Sequence, residues 1–176
     1  MVAAEAAAVG PAEAFLVGVV ALVAAEPEGV GDMRARDFIE QIDRAKIVEA
    51  VRVAEARSSG EIRVFITRKD VSDPVEEARN HFHSLGMAKT VQRNGILLLV
   101  APRTQRFAIW GDTGIHDKCG TETWEALAAQ MAHQFKAGNY TDGIAGAVEQ
   151  AGGFLAQHFP RKAGDKNELS DEVAGD

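Results

Sequence analysis

From Arg36 to Arg57 the apolar residues Phe38, Ile42, Ala45, Val48 and Val51 recur at steps of three and four, the period of one stripe on an amphipathic helix. Ser58-Ser59-Gly60 stops that pattern, with glycine suited to a left-handed helix end. The period then switches to two. In Glu61–Thr67 the residues Ile62, Val64 and Ile66 face one way and Arg63 and Phe65 the other, which predicts a strand. Asp73-Pro74 reads as N-cap and first helical residue, and Glu76 and Glu77 suit the positive end of the helix dipole, so a helix is expected up to Leu85 and Gly86.

The run Gly95–Ala101 (GILLLVA) is continuously apolar and bounded by Arg93-Asn94 and Pro102, as in a strand buried on both faces at the centre of a sheet. Pro102–Gln105 has turn chemistry and Arg106–Trp110 alternates again, so the two strands form a hairpin. Gly111-Asp112-Thr113-Gly114 closes it. Two helices are expected after it, over Asp117–Phe135 and Asp142–His158. The predicted order α-β-α-β-β-α-α makes an α/β fold, a three-layer α/β/α sandwich around a small mixed sheet. Its first two strands are parallel because a helix joins them.

Composition adds boundaries. The chain has 176 residues, and its single cysteine, Cys119, excludes an internal disulfide framework. Its net charge of −7 lies at the ends: residues 1–33 hold five acids and no base, and the segment from Pro160 is also acidic, while Arg34–Phe159 is neutral. We therefore divide the chain into an extension over 1–33, a domain over 34–160 and a flexible acidic tail over 161–176. A neutral body lacks the basic face that nucleic acid requires.

The apolar run Ala14–Ala25 spans about 18 Å as a helix, short of the roughly 30 Å membrane core, and Glu13 and Glu26 bracket it, so no stable membrane anchor is expected. No Lys or Arg precedes Arg34, unlike a secretory leader. The run reads as an Ala-rich or artefactual extension, with Met33 a plausible true start and cytoplasm the default compartment. Export is the alternative, should residues 1–25 act as an atypical signal.

The topology brings three loops to one rim of the sheet: Ser58–Glu61 before the first strand, Gln92–Gly95 before the second and Gly111–Gly114 after the third. Glu61, Asn94 and Asp112, with Asp117 and Asp142 nearby, offer the hard oxygens that Ca²⁺ or Mg²⁺ prefers. Each also has a plain structural reading: Asp112 as a turn residue, Glu61 as the ion-pair partner of Arg93 or Arg63, Asn94-Gly95 as a left-handed turn. The charged loop Arg68, Lys69, Asp70 and Asp73 at the opposite rim reads as solvated. His81 and His83 are two apart, on different helix faces, and Cys119 reads as a small core residue.

The ordered segments SSGEIRVFIT, HFHSLGMAKTVQRNGILLLVAPRTQRFAIWGDTGI and FKAGNYTDGIAGAVEQAGGFLAQHFP resemble the TPM-domain family, whose thylakoid-lumen members act in photosystem II repair. The resemblance covers residues 34–160. It implies an α/β/α sandwich, divalent-cation binding and phosphatase chemistry, and the matching polar positions are Glu61, Arg93, Asn94 and Asp112. Two function classes follow. One is an accessory module that binds a cation and a still unidentified protein partner. The other is a metal-dependent phosphomonoester phosphatase using Glu61, Arg93 and Asp112. Oligomeric state is not legible.

Overall fold

A computed structural model describes residues 31–164 and 172–176. The elements are α1 (Gly31–Gln41), α2 (Arg44–Glu55), β1 (Ile62–Ile66), α3 (Pro74–Ser84), β2 (Ile96–Ala101), β3 (Arg106–Gly111), α4 (Thr113–Cys119), α5 (Thr121–Lys136), α6 (Tyr140–His158) and β4 (Ala174–Gly175). Of the extension expected over residues 1–33, residues 1–30 lie outside the described residues and Gly31–Met33 open α1.

The sheet order is β3-β2-β1-β4, with β1 and β2 parallel and β2 and β3 antiparallel. Register aligns Val64 with Leu98 and Leu98 with Ile109. Because side chains alternate along each strand, this register sorts them onto two faces. Ile62, Val64, Ile66, Ile96, Leu98, Val100, Phe107 and Ile109 meet the apolar stripes of α2, α5 and α6 in the larger core. Phe65, Leu97, Leu99, Ala108 and Trp110 meet Ala78 and Phe82 of α3 on the other face. The expected three-layer sandwich forms, and all six residues of β2 are buried, as its unbroken apolar run predicts.

Three local departures have physical causes. The helix expected over Arg36–Arg57 is two, because Asp43 caps a new one: its side chain accepts from the Lys46 amide at 3.0 Å and its own amide donates to Thr141 Oγ1 at 3.0 Å. The break resets the helical phase, so the buried stripe of α2 is Ile47, Ala50, Val51, Ala54 and Glu55, while Ala45 is exposed. The turn expected at Gly111–Gly114 leads directly into α4, with Asp112 as its N-cap, and Gly120 at φ 73° separates α4 from α5.

The third departure concerns the tail. Residues 174–175, expected within a flexible segment, form β4 and pair parallel with Phe65 and Ile66 of β1. Among the described residues no helix is long and apolar enough to cross a membrane.

Candidate functional site at the start of the parallel strands

The three loops do meet at one rim. The Ile96 amide donates to Glu61 O at 2.8 Å and the Asp112 amide donates to Gly95 O at 2.9 Å, so Glu61, Gly95 and Asp112 stand in line just before β1, before β2 and after β3. α4 is drawn against the middle loop. The Ile115 amide donates to Arg93 O at 3.3 Å, and a Cβ on Gly114 would lie 2.7 Å from that same carbonyl, so only glycine permits the approach.

Asp112 is fully buried. Its Oδ1 accepts from the Thr113 amide at 2.7 Å, and its Oδ2 accepts from Arg93 Nε at 2.7 Å. This carboxylate thus caps α4 and holds one guanidinium. The arginine is far less enclosed: its side chain is 46% exposed, and its backbone sits at φ +52°, a left-handed conformation that a branched or bulky residue adopts at a cost. The hydrogen bond to Asp112 raises its pKa further above an already high value. The left-handed residue of this loop is therefore Arg93, rather than Asn94 or Gly95.

Asn94, only 1% exposed, donates from Nδ2 to Ser59 Oγ at 3.3 Å, and Ser59 Oγ donates to Gln92 Oε1 at 3.3 Å. Its Oδ1 is buried with no hydrogen-bond partner among the described residues.

Glu61 goes elsewhere. Strand alternation puts Arg63 on the same face two residues on, and Glu61 Oε2 lies 3.7 Å from Arg63 Nη2, both side chains buried. Arg63 Nη1 lies 3.7 Å from Glu55 Oε1, which also accepts from the Ile62 amide at 2.7 Å. Glu55 was not anticipated. The available signal was its position on the stripe Ile47, Val51, Glu55, where a carboxylate replaces an apolar side chain at a spacing of four.

Asp117 lies exposed on α4. Asp142 is not at this rim. It stands in the first turn of α6, ion-paired with Lys46 at 2.7 Å, while the opposite end of that 19-residue helix reaches the rim, where Phe159 O accepts from the Ser59 amide. At the helical rise the two ends are about 28 Å apart. Among the described residues no group of three or more His, Cys, Asp or Glu is arranged to hold a metal ion.

The TPM-domain model matches residues 33–154, most of the chain and the three loops of this rim. The chain belongs to the TPM-domain family. The NMR structure of the BA42 protein from the psychrophilic bacterium Bizionia argentinensis is similar to it, at 37% identity and a TM-score of 0.70, over 76% of this chain and 92% of that one. No curated protein matches.

Within this TPM domain His81 and His83 stand on α3, whereas His116 stands in α4, its amide donating to Asp112 O at 2.9 Å. His81 stacks on Phe65 with ring centroids 3.8 Å apart and its Nε2 lies 3.1 Å from Glu77 Oε1, while His83 makes an edge contact with Phe82. Burial pushes the Cys119 thiol above its ordinary pKa, which disfavours a thiolate nucleophile.

Proposed function

We propose that this TPM domain is an accessory binding module, whose rim takes a divalent cation, Ca²⁺ or Mg²⁺, and engages a protein partner beside it. The observation that carries this reading is the asymmetry at Asp112: a fully buried carboxylate is balanced by a half-exposed guanidinium on a left-handed loop. Such a cation can swing into water, and its place suits a hard metal ion. The donors fit that chemistry. Asp112 and the unpartnered Asn94 Oδ1 would hold the ion, with the Ser59 hydroxyl adjacent to Asn94. Bound there, it would supply charge neutralisation and loop rigidity.

Metal-assisted phosphomonoester hydrolysis would use the same rim, with Arg93 contacting phosphate. It has weaker support, because one cation and one arginine make a thin catalytic apparatus with no separate general acid assigned. Calorimetric titration with Ca²⁺ and Mg²⁺ tests the reading. Wild type should give binding heat and Asp112→Asn none, with no turnover of an aryl phosphate by either protein. Identical traces for the two proteins would remove the cation site. Turnover that is lost in Asp112→Asn would replace the accessory role with catalysis.

A further inference from the structure

The outer edge of β1 holds a feature independent of the rim. There, four residues of the acidic chain end are read one by one. Val173, half-buried, packs against the larger core, and Ala174 packs against the core on the other face, the alternation expected of an inserted strand. At Gly175 a Cβ would lie 2.7 Å from Ile66 O, so a side chain there would strike the strand it pairs with. Asp176 finds a prepared set of donors: its Oδ1 accepts from Thr67 Oγ1 at 2.9 Å and from the Arg68 amide at 3.1 Å, and its Oδ2 pairs with Lys69 Nζ. Thr67 is fully buried, and its hydroxyl is itself oriented by the Lys69 amide at 3.1 Å.

The four positions thus carry an apolar residue, a small residue, a glycine whose Cβ would clash and a carboxylate met by donors, in that order. This is strand addition, in which backbone pairing supplies affinity and alternate side-chain sites supply selectivity. The occupancy is incomplete. β4 pairs only with Phe65 and Ile66, leaving Arg63 and Val64 of β1 without a strand on that side among the described residues. A cavity of about 280 Å³ beside Val173 and Asp176 is also bordered by Arg44 and Arg68, two cations that suit further acidic residues.

We propose that the β1 edge is a peptide-docking site for a partner protein's extended segment of the pattern apolar–small–glycine–acidic, and that residues 173–176 occupy it in cis as a displaceable ligand. Two paired residues make a weak contact by themselves, and tethering sustains it by raising the local concentration of the tail. A partner strand that also pairs along Arg63 and Val64 would gain contacts the tail does not make.

The probe is a fluorescently labelled synthetic peptide of residues 171–176 (DEVAGD), followed by anisotropy. A chain lacking residues 172–176, its fold checked by circular dichroism, should bind the peptide about tenfold or more tightly than the full chain, whose tail competes. Peptides carrying Gly175→Val or Asp176→Asn should lose binding by about tenfold or more to the shortened chain. Should the shortened chain not fold, Asp176→Asn in the full chain loosens the tail in place and should raise affinity for the wild-type peptide several-fold. Equal affinity of full and shortened chains, no binding to a folded shortened chain, no gain with Asp176→Asn, or a Gly175→Val peptide that binds as well as wild type would each overturn the proposal.

Discussion

Two ionic clusters stand at the same rim and behave as opposites. Glu55, Arg63 and Glu61 are all buried, with carboxylates 3.7 Å from the guanidinium on either side. Asp112 is equally buried, but its guanidinium partner is 2.7 Å away and half in solvent. The first cluster has no exposed member able to leave, so its charges are bound into the fold and any loss strands a charge in a low dielectric. In the second, one partner can be hydrated at little cost. Burial of both members, rather than the presence of an ion pair, separates a structural charge from an exchangeable one.

The sharpest way to break this comparison is Arg63→Met, which removes the cation shared by Glu55 and Glu61. Urea denaturation should show a loss of about 3–5 kcal/mol. A loss no larger than that of a surface pair would mean the cluster is hydrated, and the contrast with Asp112 would disappear. Next in size is Gly114→Ala. Its Cβ would meet the Gln92 and Arg93 carbonyls, so α4 and the loop must separate. A loss of about 1–3 kcal/mol is expected in thermal unfolding, together with weakened cation heat, because the loop carries Arg93 and Asn94.

A third ion pair, Lys69 with Asp176 at the far rim, gives a pH test. Burial alone would raise the Asp176 carboxyl, but Lys69, Thr67 and the Arg68 amide together hold it at about 2, below its ordinary 3.8. Folding thus depresses this pKa. The contribution of the docked tail is complete above the ordinary value and lost as pH falls through about 2. NMR of the Arg68 amide during acid titration should report release in that window. Asp176→Asn should abolish the transition.

The smallest effect expected is Arg93→Gln. Asp112 stays buried but keeps the Thr113 amide and hydroxyl as donors, and water can replace the half-exposed guanidinium, so a loss of about 1 kcal/mol is expected in thermal unfolding, while cation affinity rises because the competing charge is gone. Abolished cation heat in this variant would show that Arg93 supports the ion instead.

Much of this was legible in the chain. The alternation of Ile62, Val64 and Ile66 and the unbroken run of β2 specify strands because each side chain's face follows from a period of two. Given a helix-linked parallel pair and a hairpin, the meeting of the Glu61, Asn94 and Asp112 loops follows from connectivity. Partner choice was less accessible. Both Arg63 and Arg93 were available to Glu61, and shared parity on β1 selects Arg63. Asp142, expected nearby at the start of the last helix, is carried to the far end because it is the C-terminal end of α6 that reaches the rim.

Periodicity by itself determined the layers, the central strand and the rim, since these depend on local pattern and short connections. Only the tertiary structure decided the break at Asp43, the strand at Ala174–Gly175 and which charges are exchangeable. Asp43 ends a helix whose apolar spacing runs on, through contacts with Lys46 and with Thr141 of a distant helix. Ala-Gly has little strand preference of its own and extends only because β1 offers an open edge. Burial belongs to the environment that other segments build around a residue, and no residue's own identity encodes it.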